Sequence, residues 1–293
     1  MTFIVLFFTL LLQYLKLIPS RTTSSRSFAL WHDAASKLPG FSKAGKEVRY
    51  VVVVIIPTVL IGIAFHLLEP LLWGLPAIAI EVALLLYVLS HANFEKYVEQ
   101  YRKDLAAGDV QGAYHCAEQH LSVPEIELSD DVAKMHDQVC ETMLYRWFEF
   151  FFLMVFWFAL AGVPGVILAW FTLQYVQRVD CSEQAWRPLT LLEWAPSRIL
   201  GLTFALAGNF VNAIGVWQTS LWKWRIPAAD ALYKVALAAL YHGRDEEGQE
   251  VVNIDCPEKA CDQMVELEKL HRRSASIWLA MIAVMAIFGG LFS

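Results

Sequence analysis

Between Tyr50 and Leu72 the chain runs for 23 residues as YVVVVIIPTVLIGIAFHLLEPLL, with Pro57, His66 and Glu69 as its interruptions. About 20 apolar residues in a row are what a helix needs to cross the ~30 Å hydrocarbon core of a bilayer. Inside that core only a helix or a closed barrel satisfies every backbone amide and carbonyl. Five further blocks share the character, giving spans at about 2–18, 50–72, 75–92, 147–163, 165–177 and 275–292. The first block has no basic n-region and no small-residue cleavage site, so it reads as an uncleaved span. The GVPG step from Gly162 to Gly165 sets two helix-breaking residue types side by side, and a tight reversal there makes the fourth and fifth blocks a helical hairpin. The expected fold is an all-α, polytopic transmembrane helical bundle forming one membrane domain over 1–293.

Basic residues set the orientation. Lys16, Arg21, Arg26, Lys37, Lys43, Lys46 and Arg49 fall between the first two blocks. The turn from Glu69 to Pro76 and the GVPG step carry none. Lys96, Arg102 and Lys103 follow the third block, Arg178 and Arg187 the fifth, and Lys269, Arg272 and Arg273 precede the last. Six spans satisfy all of these positions. They place 19–49, 93–146 and 178–274 in the cytoplasm and both termini in the periplasm of a cell with an inner membrane.

Leu189–Ile214 is apolar but carries Glu193, Pro196 and Arg198. Counting it as a span would put the Lys269/Arg272/Arg273 cluster on the wrong side. It reads as an interfacial or re-entrant helix at 189–214, kinked at Pro196, where the missing amide proton and a clash with the preceding turn bend a helix. Trp217, Trp222 and Trp224, interleaved with Lys223 and Arg225, fit a headgroup-level belt. Phe94, Tyr97, Val98, Tyr101 and Leu105 recur at helical spacing, so an amphipathic cytoplasmic helix is expected there, broken at Gly108–Asp109. Ser129 or Asp130 reads as the N-cap of a helix running through Glu141 and Arg146 into the fourth block. Another amphipathic helix is expected at 227–242, and a polar loop at Gly243–Ala260.

Composition agrees with a bilayer solvent. Hydrophobic residues make up 57% and charged residues 18%, against about 45–50% and 25% in soluble domains. Mean hydropathy is +0.45. A net charge of -6 with no basic cluster away from the membrane flanks excludes nucleic acid as a partner. The five cysteines form no CxxC pair, and Cys256 and Cys261 read as reduced thiols in a cytoplasmic loop. There is no phosphate loop, GxGxxG, HExxH or GxSxG. His115, Cys116 and His120 do not share a helix face, so they read as surface residues rather than a metal site.

The informative residues are ionisable groups at membrane depth. Glu81 is one, inside the third block. Glu141, Tyr145 and Glu149 recur at i, i+4 and i+8 and line one helical stripe, with Arg146 adjacent. Glu193 and Arg198 lie on the kinked helix. The last six residues together are the candidate pocket at the cytoplasmic mouth, suited to a polar or anionic ligand. The competing reading is an ion-paired collar that fixes helix positions. No catalytic residue is assigned and no metal site is expected.

The stretches RWFEFFFLMVFWFALAGVPGVILAWF (Arg146–Phe171) and EWAPSRILGLTFALAGNF (Glu193–Phe210) resemble the AmpE family, inner-membrane proteins similar to the CbiB/CobD adenosylcobinamide-phosphate synthases. The most specific pieces are the W-x-P-x-R element (Trp194, Pro196, Arg198, with Ile199 next) and the hairpin. The resemblance covers nearly the whole chain. It implies a regulatory or sensory role in β-lactamase induction and cell-wall recycling, and allows a nucleotide with Mg as ligand. In the synthase pattern Glu141 and Glu149 fall on two acidic positions. Tyr145 and Arg146 replace a Glu and an Asn, and Leu189 and Thr190 stand where an acidic pair belongs. Those replacements count against ATP-dependent amide formation, which needs carboxylates to hold metal and phosphates. A transporter is the third class, with Glu81 in its favour and the absence of an internal repeat against it. The lipid bilayer is the expected partner; monomer and homodimer are both compatible with the sequence.

The orientation has a direct test. In a cysteine-free background, Ser24→Cys should resist a membrane-impermeant maleimide in intact cells and react once the inner membrane is permeabilised. Labelling from outside would overturn the assignment.

Overall fold

The computed structural model describes residues 5–6, 9, 26–37, 41, 44–68, 75–89, 92–121, 132–178, 183–223, 226–241 and 257–289. Most of the first expected span, the Ser129/Asp130 cap and most of the 243–260 loop lie outside these. All the described elements are helical. They are α1 (Arg26–Ser36), α2 (Lys46–Leu68), α3 (Leu75–Leu89), α4 (Ala92–Ala106), α5 (Val110–His120), α6 (Val132–Trp147), α7 (Met154–Arg178), α8 (Glu183–Ala207), α9 (Phe210–Leu221), α10 (Ala228–Leu240) and α11 (Pro257–Gly289). Among the described residues three stretches are long and apolar enough to cross a membrane: Lys46–Leu68, Ile78–Ala106 and Ala133–Arg178. The chain packs into two compact units. The first takes Met1–Ser90, Phe150–Glu193 and Leu279–Ser293, the second His91–Glu149 and Trp194–Trp278.

In the first unit α2 contains a π-helical turn at Val51–Ile55 and continues through Pro57. Phe28 and Ala35 of α1 pack with Val53, Val54 and Tyr175 into a buried cluster. Helix α7 contains the reversal. Gly162 has φ 64° and ψ -147°, a conformation open to glycine and strained for other residues. Residues eight apart in a straight helix are about 12 Å apart. Here a Cβ on Gly165 would stand 2.4 Å from the Trp157 carbonyl oxygen. The chain therefore turns back at Gly162, as the GVPG step predicts, and the long stretch Ala133–Arg178 ends in two arms. Helix α2 packs closely on the turn, since a Cβ on Gly62 would meet Pro164 Cγ at 3.2 Å.

Pro196, where a kink is expected, does not end the helix. Helix α8 runs Glu183–Ala207 without a break at Pro196, and the break falls at Gly208–Asn209, where Asn209 caps α9 by accepting from the Asn212 amide. The physical reason lies in the carbonyl that a proline strands four residues back. For Pro196 that is Leu192, and the indole Nε1 of Trp157 donates to its oxygen at 3.1 Å. The same device recurs in α2. Pro57 lacks the amide proton that would serve Val53, and Trp31 Nε1 donates to the Val53 oxygen at 3.0 Å. Each tryptophan supplies the donor that its proline lacks.

In the second unit Gly108, at φ 75°, ends the α4 segment, and the Asp109 carboxylate accepts from the Gly112 amide to start α5. The break is where the sequence places it. The amphipathic helix read at 227–242 is α10, and residues 257–260 of the expected loop already belong to α11. Buried Tyr101, Leu105, Ala113, Ala117, Met135, Val139 and Met143 form the core with Leu232, Ala236, Met264 and Leu267. It holds polar pairs: Tyr101 Oη to His136 Nδ1 at 3.3 Å, and His136 Nε2 to Cys140 Sγ at 3.3 Å. On α11, His271 packs against Trp147 with ring centroids 4.7 Å apart. Burial holds its imidazole well below the ordinary 6.5, at about 4, with Arg272 adding to the effect.

Helices α8 and α9 expose Leu191, Trp194, Ile199, Leu206, Phe210 and Val211, while Leu192, Leu200, Phe204 and Ala213 are buried together with Ser197, Arg198 and Thr203. In water the exposed apolar residues cost free energy, and so does burial of the charged one.

Two measurements test these packing statements. Trp157→Phe leaves the Leu192 carbonyl unpaired, which costs about 1–2 kcal/mol and lowers Tm by roughly 2–4 °C. In a Pro196→Ala background the amide returns and most of that cost should vanish; equal costs in both backgrounds would refute the pairing. Because the folded state holds His271 neutral while the unfolded chain protonates near 6.5, its contribution is complete above pH 6.5 and is lost as pH falls toward about 4. Tm should decline over that window, and His271→Gln should reduce the slope.

Candidate functional site

The six residues expected to share one pocket belong to both units. Glu193 is buried, 5% exposed, in the first unit. Glu141, Tyr145, Arg146, Glu149 and Arg198 belong to the second. Glu81 lies half-buried in α3 of the first unit.

Of the stripe at i, i+4 and i+8, Glu141 and Tyr145 lie on α6 and Glu149 lies in the π-helical segment that follows it, Phe148–Leu153. Glu149 is 3% exposed. Its Oε2 pairs with Arg146 Nη1 at 2.8 Å, and the Tyr145 hydroxyl hydrogen-bonds the same carboxylate. Breaking such a pair strands a buried charge, at a cost of about 3–5 kcal/mol. Arg146, Glu149 and Tyr145 thus satisfy one another, which is the collar reading for these three residues.

Glu141 faces another way. It interacts electrostatically with Asp230 and Lys234 of α10 and with Asp137 one turn earlier. Lys234 bridges Asp230 at 2.8 Å. Tyr233 donates to Asp137 Oδ1 at 2.8 Å, and Gln263 Nε2 of α11 donates to the Tyr233 oxygen at 3.2 Å. Burial, the Cys140 thiol and Asp137 raise the Tyr233 phenol above its usual range, so it stays a donor. Sequence reasoning missed Asp137, Asp230, Tyr233, Lys234 and Gln263. The available signals were the i, i+4 spacings of Asp137 with Glu141 and of Asp230 with Lys234.

Arg198 is the exceptional charge. It is 6% exposed. One Nη2 proton goes to the Lys223 carbonyl at 3.2 Å, and Nε is buried without a hydrogen-bond partner. Burial pushes the guanidinium down from its ordinary range, and among the described residues no carboxylate offsets it. Its place is fixed from behind, since Trp217 Nε1 donates to the Arg198 carbonyl at 2.8 Å. Gly201 lets that indole approach, because a Cβ there would stand 3.0 Å from Trp217 Cδ1. The Arg198 Nε proton is thus left without an acceptor among the described residues.

The nucleotide and Mg that the resemblance allows need converging oxygen ligands. Among the described residues no three His, Cys, Asp or Glu side chains come together in a metal-holding group. Of the trio near 115–120, His115 pairs with Glu118 at 3.8 Å, Cys116 donates to the Tyr97 carbonyl at 3.4 Å and His120 stacks on Tyr97 at 4.1 Å. Cys261 donates to the Arg102 carbonyl at 3.7 Å, and Cys256 lies outside the described residues.

Known proteins share this chain's sequence over much of its length. The chain is similar to a cobalamin biosynthesis protein CobD of Chromobacterium violaceum, 26% identical over 231 residues, covering 73% of this chain and 72% of that protein. It is also similar to a CobD of Stutzerimonas stutzeri, 28% identical over 120 residues, or 35% of this chain and 40% of that one. No solved structure matches significantly. The family model described as "Regulatory signalling modulator protein AmpE" matches residues 31–292. With nearly its full length inside that one model, the chain belongs to the AmpE family.

Proposed function

We propose that this chain is a regulatory, sensory protein of the inner membrane, linked to β-lactamase induction and cell-wall recycling, which binds a polar anionic ligand through Arg198 at the cytoplasmic mouth of the bundle. Membership of a regulatory signalling family supports the role. The observation that carries the ligand reading is the buried, uncompensated guanidinium of Arg198. A permanent charge held in a low-dielectric site is costly, and an incoming anion converts that cost into affinity. Arg146 and Glu149, already paired, brace the helix end, while Glu141 and Lys234 form a polar rim. The exposed apolar stripe of α8 and α9 supports an interfacial position for these helices in a protein of six spans with both termini periplasmic.

The second reading is an ATP-dependent amide synthase, favoured by the CobD relatives at 73% coverage of this chain. The residues standing at the synthase positions weigh against it. Tyr145 and Arg146 are engaged with Glu149 rather than directed to a metal.

The two readings separate in purified protein. ATP and an anhydromuramyl peptide serve as anionic probes, with binding measured by thermal shift and calorimetry. Arg198→Gln should weaken binding of the recognised probe about 10- to 100-fold. Arg198→Met should raise the Tm of the ligand-free protein while abolishing the ligand-induced shift, because the buried charge is gone. Unchanged binding in both variants would overturn the site. Steady ATP turnover with an adenosylcobyric-acid-type substrate, lost in Glu141→Gln or Glu149→Gln, would establish the synthase instead.

A further inference from the structure

Two arginines of the first unit stand at the ends of apolar helices and reach the same aromatic cluster. Arg49 lies near the start of Lys46–Leu68 and Arg178 closes Ala133–Arg178. The Arg178 guanidinium sits 5.8 Å from the centre of the Phe28 ring, and the Arg49 guanidinium 5.7 Å from that of Phe41. Arg49 Nε also donates to the Phe41 carbonyl at 3.1 Å. The His32 ring joins the two, 6.4 Å from each phenylalanine. Next to it Tyr50 and Tyr175 pack edge to face at 5.6 Å. Thr172 donates to the Leu168 carbonyl, so Tyr50 donates to the Thr172 hydroxyl at 3.0 Å. The Tyr175 hydroxyl is different. The residue is 2% exposed and its oxygen has no hydrogen-bond partner, although Arg49 acts on it electrostatically. Asp33 lies 3.8 Å from His32 and is largely exposed.

A buried phenol with an unused proton and two cations held on aromatic faces are complementary to an oxyanion. Their level is the end of the spans, where headgroup phosphates sit, and cytoplasmic basic pockets between spanning helices recognise anionic lipids. Below Arg49 the surface of α2 is apolar and outward-facing: Val51, Ile56, Val59, Leu60 and Ile63 are all exposed. On the other side α1 exposes Leu30. Such a surface suits an acyl chain attached to the phosphate and gives nothing to a free inorganic ion.

We propose that Arg49, Arg178 and Tyr175 form a binding site for the headgroup phosphate of an anionic phospholipid, whose acyl chain lies along the exposed face of α2. The two guanidinium groups clamp the phosphate, and the Tyr175 hydroxyl donates to it. The site involves none of the residues assigned to the Arg198 ligand, so the two readings stand or fall separately.

The full-length protein is placed in nanodiscs of phosphatidylcholine, with or without phosphatidylglycerol, and Tm and lipid retained by native mass spectrometry are measured. Phosphatidylglycerol should raise Tm and be retained preferentially. Arg49→Gln and Arg178→Gln should each reduce retention about fivefold, and the double variant about 25-fold. Tyr175→Phe separates recognition from packing. It should leave Tm in pure phosphatidylcholine unchanged or higher, because an unsatisfied hydroxyl is removed, yet shrink the phosphatidylglycerol-dependent increment. Equal retention of both lipids, equal retention by the double variant, or a Tyr175→Phe loss of Tm in phosphatidylcholine of the same size as in phosphatidylglycerol would overturn the proposal. Protection by millimolar inorganic phosphate equal to that by phosphatidylglycerol would show a free-anion site and overturn the lipid assignment.

Discussion

In hydrocarbon a backbone carbonyl without a donor has no water to turn to, and that constraint shapes this chain more than any other. Prolines inside apolar helices create such carbonyls. The chain answers twice with the same residue type, pairing Trp31 with the Val53 oxygen before Pro57 and Trp157 with the Leu192 oxygen before Pro196. Tryptophan suits the task because it combines one donor with a large apolar body. The consequence reaches beyond local bonding. An α8 that stays helical through Pro196 carries Arg198 and the exposed stripe at a fixed phase, and Trp217 then holds Arg198 from its own carbonyl.

The same solvent explains which charges are buried and how. Arg146 and Glu149 enter as a pair, with Tyr145 filling a further bond. Arg198 enters with one backbone carbonyl and an idle Nε. Holding a cation in this way is costly, and the proposed anion site rests on that cost.

Much of the architecture is legible in the sequence because its causes are local. Gly162 and Pro164 force a reversal whatever surrounds them, and Gly108–Asp109 ends one helix and caps the next. Hydrophobic blocks announce their solvent by length. The features that escape depend on partners distant in the chain. The continuity of α8 rests on an indole 35 residues before Leu192, and nothing near Pro196 reveals it. Asp230 and Lys234, which act on Glu141 electrostatically, lie on another helix far along the chain, and nothing near Glu141 reveals them. Arg198 is legible as a candidate; its lack of a counter-charge is visible only once its neighbours are in place.

Lipid, rather than water or protein, is the solvent claimed for the outer face of these helices, including the α8–α9 stripe that no span accounts for. Spin labels placed singly at positions 194 through 207 in nanodiscs report this directly through collisions with oxygen and with a water-soluble nickel chelate. Oxygen accessibility should peak at 194, 199, 202 and 206 with helical periodicity, and accessibility to both reagents should be low at 197, 200 and 204. Nickel-accessible labels at the peak positions would place the stripe in water and contradict the claim.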